Sequence, residues 1–291
     1  MNNQREWSRT ALKSRLGRWS QRCLGGLVAT AGGALMLLGS SGSLSAIALT
    51  EDELKARLAV VPVFSVFRSE DGSPLTIQSE GEGQSAPTSV LPGFLDPDDV
   101  RAVLNQVREQ NGGGDFDIRA LSLARLYEWS LTNAETPDAP RIQYFPIGDQ
   151  LPQALELRRA ANPDRNIERF SGIPLFVALD QGGESYLIVK DERSGKEHIP
   201  FFFRVEDLNA SWARFLQKPE GSDLSGDLQL EVRTLGEIVG VLRSENEEAG
   251  KLANLIQLIP SKEAFEYAVD LESGDSASQG GAASGAGALA P

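Results

Sequence analysis

Hydrophobic positions along this chain change period in a fixed order, and they do so twice. Val61-Pro62-Val63-Phe64-Ser65-Val66 reads as a buried extended segment, and so does Ile173-Pro174-Leu175-Phe176-Val177-Ala178. After an acidic or glycine-containing turn a second extended segment follows each, Leu75-Thr76-Ile77 in the first half and Tyr186-Leu187-Ile188-Val189 in the second. The third is Val90-Leu91-Pro92-Gly93-Phe94, matched by His198-Ile199-Pro200-Phe201-Phe202. Spacing then shifts to three and four, with Val100, Val103, Leu104 and Val107 against Leu208, Trp212, Phe215 and Leu216, which puts each set on one helical face.

Alternation returns at Phe116, Ile118 and Ala120, and at Leu228, Leu230 and Val232. Helical period follows at Leu123, Leu126 and Tyr127, and at Leu235, Ile238, Val239 and Leu242. Ile142-Gln143-Tyr144-Phe145-Pro146 and Ile256-Gln257-Leu258-Ile259-Pro260 close the two series. Each leads into a short amphipathic helix, around Leu151, Ala154 and Leu155 or around Phe265, Ala268 and Val269. Corresponding segments lie 112, 108, 112 and 114 residues apart. A near-constant offset over a whole unit predicts an internal duplication. The expected fold class is therefore α/β (mixed α+β), with two tandem repeats of a β-β-β-α-β-α-β-α unit over residues 49–165 and 166–271 in a pseudo-two-fold arrangement. One continuous body and two separate domains both fit this pattern.

Thr50-Glu51-Asp52-Glu53 carries a capping-box pattern ahead of Leu54 and Leu58, predicting a short helix before the first unit. Polar segments 80–88, 136–140 and 158–171 predict loops, the last of them joining the units. Residues 272–291, rich in Gly, Ala and Ser, predict a disordered tail.

The first 48 residues have a different character. Arg5, Arg9, Lys13, Arg15, Arg18 and Arg22 form a basic start, residues 24–38 are uncharged and apolar, and Ala46-Ile47-Ala48 fits the small-residue pattern of signal cleavage. The apolar run is short and glycine-rich for a membrane span, which needs about 20 apolar residues. A secretory signal peptide over 1–48, cleaved after Ala48, is the expectation, with an uncleaved anchor as its alternative. Removing it takes away six basic residues and one acidic, so the formal charge moves from −13 to −18. Such a chain repels nucleic acid and anionic headgroups, both of which need cationic patches.

The sole cysteine, Cys23, lies inside that leader, so the remainder has neither a disulfide nor a thiol nucleophile. His198 is the one histidine, which excludes a His/Cys zinc site and a Ser-His-Asp triad repeated in both halves. The pairs Asp98-Asp99 and Glu206-Asp207 fall at predicted helix starts, where the dipole favours negative charge without any catalytic role. Asn111-Gly112-Gly113-Gly114 follows a helix and precedes a strand, the reverse of the order a phosphate loop needs. No cofactor, no metal and no enzyme activity are expected. The candidate binding residues are the apolar ones at matched places: Phe64, Phe94 and Tyr144 in the first unit, and Phe176, Phe201, Phe202 and Phe203 in the second. Consecutive strand residues point to opposite faces, so at least one of Phe201 to Phe203 must leave its own core, toward the other unit, a helix layer or an exposed client-binding surface.

Val61-Pro62-Val63-Phe64, Ile173-Pro174-Leu175-Phe176-Val177, Ile199-Pro200-Phe201-Phe202-Phe203 and the segment 232–241 resemble the Tic-twenty-two family of the translocon at the inner chloroplast envelope, which has cyanobacterial relatives. The likeness spans roughly residues 49–271. It implies a soluble, chaperone-like protein of the space between two membranes, with apolar pockets on a pseudo-symmetric body. With a bacterial-type leader that space is the periplasm, a thylakoid lumen being the other location. The expected function is an ATP-independent holding factor for protein transport and outer-membrane protein biogenesis, its partners unfolded or precursor polypeptides such as outer-membrane β-barrel proteins. The alternative is a scaffold docking on a membrane translocon without binding unfolded chains.

Overall fold

The computed structural model describes residues 5–7, 49–79, 88–111, 115–136, 139–180, 183, 185–191, 194–217 and 228–280. The expected leader lies outside the described residues apart from strand β1 (Arg5–Trp7). So do residues 281–291 of the expected tail.

Helix α1 (Glu51–Leu58) starts at the capping box expected of it, with Thr50 and Glu53 exchanging hydrogen bonds. The first sheet contains β2 (Pro62–Arg68), β3 (Ile77–Ser79), β4 (Thr88–Phe94), β5 (Phe116–Ser122) and β6 (Arg141–Phe145). β2 runs antiparallel to β5 over its whole length, and β4 runs parallel to β6. Between them β2 meets β4 at a single residue pair, Phe64 opposite Phe94. Pro92 explains the gap: a central strand with a proline lacks one ladder donor, and here the buried Ser65 hydroxyl donates instead to the Pro92 carbonyl at 2.6 Å.

The second sheet contains β7 (Pro174–Ala178), β8 (Val189–Asp191), β9 (Glu197–Phe202), β10 (Leu230–Thr234) and β11 (Ile256–Ile259). β7 is antiparallel to β10, β9 is parallel to β11, and β7 meets β9 only at Phe176 opposite Phe202. Pro200 lies in the central strand here. β1 adds to the outer edge of β8.

Helices cover both faces of each sheet. Helix α2 (Pro97–Gln110) follows β4, α3 (Leu123–Thr132) follows β5, and α4 (Leu151–Ala160) follows β6 after a 3-10 turn at Gly148–Gln150. In the second half α5 (Val205–Leu216), α6 (Leu235–Leu242), α7 (Glu247–Leu255) and α8 (Lys262–Gly280) occur in that order. One core cluster joins inward residues of both sheets, among them Val63, Leu91, Leu175, Ile199 and Phe201, with α1, α3, α6 and α7. The outer faces are finished by exchange. α8 packs on β2 and β5 of the first sheet beside α2, while α4 packs on β7 and β10 of the second.

Three expectations are corrected. Residues 158–160 are the last turn of α4 rather than loop, since the helix carries Leu157 down onto the second sheet. α7 was absent from the hydrophobic pattern because its buried residues are Ala249, Gly250 and Ala253, too small to register as a stripe. α8 runs to Gly280, past the tail boundary at 272, because extending a formed helix costs far less than starting one.

Candidate functional site

The seven aromatic candidates are distributed over three clusters. Phe64 and Phe94 lie beneath α2 and α8 with Val66, Val100, Leu104 and Phe116. Phe176 and Phe202 lie beneath α4 and α5 with Ala154, Val205 and Leu208. Phe201 and Phe203 belong to the shared core, and half-buried Tyr144 packs against it. The strand alternation expected of Phe201 to Phe203 is present, but the face that receives Phe202 is a helix layer and not solvent. The most exposed of the six phenylalanines, Phe94, has a relative exposure of only 6%. Helices cover both faces of both sheets, so none of the six phenylalanines is open in this structure.

Tyr144 replaces bulk that the neighbouring strand lacks. It stands opposite Gly93 in the β4–β6 ladder, and a Cβ on Gly93 would fall 2.9 Å from Val63 Cγ1 and 3.3 Å from Tyr144 Cδ1. Burial pushes the Tyr144 phenol up to about 12.

The polar centre of the molecule is Arg204, which the sequence pattern did not single out. It occupies the N-cap position of α5 and has no capping side chain of its own to offer. Gln150, 1% exposed, supplies the missing cap: its Oε1 accepts from the Val205 N–H at 2.9 Å, and its Nε2 donates to Glu206 at 2.9 Å. The Arg204 guanidinium donates to Asp96 at 3.2 Å, the N-cap of α2, and to Asp149 at 2.9 Å in the turn before α4. It also pairs with Glu263 in the first turn of α8 at 3.2 Å. Starts of α2, α4, α5 and α8 therefore converge on one cation: α5 supplies Arg204 itself, and the other three each bring a carboxylate, Asp96, Asp149 and Glu263, the charge a helix start favours. Burial pushes the Asp99 carboxyl up, and the negative Asp96, Asp149 and Asp98 push it the same way. Arg204 is held charged against its burial by Asp149, Glu263 and Asp96. The Asp98-Asp99 and Glu206-Asp207 pairs lie in first turns of α2 and α5. Among the described residues no group of His, Cys, Asp and Glu is arranged to hold a metal ion.

α8 is the element with apolar residues on two sides. Its inner side places Ala264, Tyr267, Ala268 and Leu271 against the Phe64 cluster, with the Tyr267 and Phe64 rings 5.2 Å apart. Its outer side exposes Phe265 at 57% and Val269 at 45%, one helical turn apart. This corrects the expected face of the helix: of Phe265, Ala268 and Val269, only Ala268 packs inward. A cleft of about 240 Å³ runs along the seam between α2 and α8. Among the described residues, no helix is long and apolar enough to cross a membrane.

Two mixed sheets with helices on both faces, tied at one half-buried arginine, define an α/β body among the described residues. The chain belongs to the Tic22-like family, whose model matches residues 3–269. Its fold is similar to that of Anabaena Tic22, described as a protein-transport protein, with a TM-score of 0.63 and 18% identity over 76% of this chain and 97% of that one. It is also similar to Tic22 from Plasmodium falciparum, with a TM-score of 0.57 and 20% identity over 76% of this chain and 98% of that one. No curated protein sequence matches the chain.

Proposed function

We propose that this protein is a non-enzymatic, ATP-independent, chaperone-like factor in protein transport, acting in the periplasm after cleavage of its leader behind Ala48. The observation that carries the reading is the fold shared with a protein-transport protein over 76% of the chain. Its clients are unfolded or precursor polypeptides, outer-membrane β-barrel proteins among them, held by apolar contacts that are individually weak. α8 offers the first of these in Phe265 and Val269. A net charge of −18 without the leader keeps loaded complexes apart in solution.

The body is read as two copies of one unit. Phe64 faces Phe94 and Ala120 in the first sheet, as Phe176 faces Phe202 and Val232 in the second. Phe94 faces Phe145 in parallel, as Phe202 faces Ile259. Those pairings shift by the same 112, 108, 112 and 114 residues as the sequence segments, which supports a pseudo-two-fold duplication.

The test is suppression of aggregation of an unfolded outer-membrane β-barrel protein at equimolar ratio without ATP, at low salt and at about 0.5 M salt. Holding that persists at high salt, and that weakens in Phe265→Ser without loss of fold, is the expected result. Aggregation that proceeds unchanged at both salts sinks the reading in favour of a scaffold that docks by charge.

A further inference from the structure

We infer that the groove between α2 and the outer face of the first sheet, filled here by α8, is a receptor for a cationic amphipathic helix of a client chain, and that α8 is its displaceable internal occupant. The inference rests on the holding function proposed above and names the site for it.

What seats in the groove defines what fits it. Ala264, Tyr267, Ala268 and Leu271 stand at i, i+3, i+4 and i+7, the anchor spacing of a helix lying in an apolar groove, and they meet Phe64, Phe94, Val100 and Phe116. Of these four residues only Ala264 is fully buried. α5, by contrast, buries Val205, Leu208, Trp212 and Phe215. Two of the four inner positions are alanine, and Tyr267 and Leu271 are only half-buried, so α8 buries less area than α5 does and its hold is weak for its length. Its start is fastened by polar contacts: Glu263 to Arg204, and the Lys262 N–H to the Asp207 carboxylate at 3.1 Å.

Charge states which helix fits better than α8. The seam cleft is lined by Asp96 and Asp98 from the α2 side and by Glu263, Glu266 and Asp270 from α8. Arg101 is the cation lining it, and it is already used by Asp98 at 2.7 Å and by the Tyr267 ring at 4.0 Å. Arg204 joins Asp96 to Glu263 and Lys262 pairs with Glu266 at 3.6 Å, yet the seam still carries more carboxylates than cations, and that excess of like charge opposes closure. A helix with the same apolar spacing and lysine or arginine on its flanks keeps the packing and reverses the sign of that interaction. Because apparent affinity scales with the fraction of molecules whose groove is open, anything that loosens α8 tightens client binding.

The experiment uses protein purified from expression of the full chain and two labelled peptides of about 20 residues, long enough to form helix on the groove. Both carry Ala, Tyr, Ala and Leu at the α8 spacing; one has lysine flanks and the other glutamate flanks. Fluorescence polarisation is read alongside hydrogen exchange of α8 and α4. The lysine peptide is expected to bind more tightly than the glutamate peptide, to weaken in about 0.5 M salt, and to speed exchange in α8 while leaving α4 unchanged. Glu263→Gln, at a 64% exposed position where folding is not at risk, should raise its affinity by up to about fivefold, and Tyr267→Ala by about tenfold. Equal binding of the two peptides, no binding, or unchanged α8 exchange overturns the inference. The aggregation assay separates the two ideas: holding without peptide binding removes the groove and leaves the holding function, and peptide binding with α8 release but no holding does the reverse.

Discussion

Replacing Arg204 by leucine removes the cation on which four helix starts converge, and the cost can be built from its partners. Asp149 and Glu263 have side chains 59% and 64% exposed, so each of those pairs contributes at most about 1 kcal/mol. Asp96 differs: its side chain is 13% exposed, against 14% for Arg204. Breaking a buried pair from one side costs about 3–5 kcal/mol because the other charge is left without compensation. Asp96 retains the hydrogen bond from the Asp98 N–H at 2.9 Å, which places the expected loss at the lower end, about 3 kcal/mol. For a body of this size that lowers Tm by roughly 6–12 °C.

The assay is urea unfolding of the wild type, Arg204→Leu, Asp96→Asn and the double variant. If the orphaned carboxylate is the cost, Asp96→Asn recovers part of the loss in the Arg204→Leu background, with a coupling of about 1–3 kcal/mol. Acid gives an independent check. Asp99 is already pushed up, by burial first and then by Asp96 and Asp149. A carboxylate whose folded value is raised takes up its proton in the native state first, so stability falls as pH rises through that value. Loss of Arg204 strengthens this effect, and the deficit of Arg204→Leu should be larger at pH 7 than at about pH 4. A loss below about 0.5 kcal/mol with no coupling and no pH dependence refutes the reasoning, since that is the behaviour of an ordinary surface charge.

Gly93→Ala forces a Cβ against the buried Val63 and should cost about 1–3 kcal/mol by urea unfolding, with Val63→Ala restoring part of it; additive losses contradict the clash. Tyr144→Phe should flatten the alkaline decline in stability: the native phenol keeps its proton up to about 12 while the unfolded one ionises near 10.0, so stability falls as pH rises between those values. Urea midpoints at several pH values across that window test it, and an unchanged slope removes Tyr144 as the cause. Thr234→Ala should lose about 1 kcal/mol by urea unfolding, because the hydroxyl accepts the Glu237 N–H in a reciprocal capping box at the start of α6; Glu237→Ala in that background should add a further loss, because Glu237 still accepts the residue 234 N–H and pairs with Arg158 at 3.2 Å, and no further loss would contradict this.

Strands were legible wherever both faces are buried, because β2 and β7 then read as apolar runs with nothing to confuse them. Helices with large inward residues were legible too, as Val100 and Leu104 on α2 or Leu208 and Phe215 on α5 illustrate. α7 was not, since Ala249, Gly250 and Ala253 bury without a hydrophobic stripe, and Asn246 as its N-cap is the one local signal present. On α8 the pattern named the wrong face. Phe265 and Val269 are apolar but exposed, while the sheet accepts Ala264, Tyr267, Ala268 and Leu271, and periodicity cannot distinguish a face that is buried from one that is merely apolar. Arg204 escaped because its role depends on three partners 108, 55 and 59 positions away in sequence, none of which forms a motif with it. The offset that aligns the two halves held a usable signal: Asp96 matches Arg204, so opposite charges stand at one matched place, while Asp149 matches Glu263, both acidic.

The exchange of α4 and α8 explains why matched halves need not behave alike. Each sheet has its outer face completed by the last helix of the other half, so Phe64 depends on Tyr267, and Phe176 and Phe202 depend on Ala154 and Leu157. Two separate chains swapping these helices would be equivalent, as in a domain-swapped dimer. Joining the halves into one chain breaks that equivalence. α4 becomes an internal segment, pinned by β6 before it and β7 after it, while α8 keeps a described connection only to β11. Leaving its groove therefore requires α4 to drag both neighbouring strands out of register, whereas α8 has to break its polar contacts at Glu263 and Lys262 and the packing of Tyr267 on Phe64. On the duplication proposed above, exchange of these helices makes two like grooves unequal, and the one filled by α8 is the one that lies against the carboxylate-lined seam.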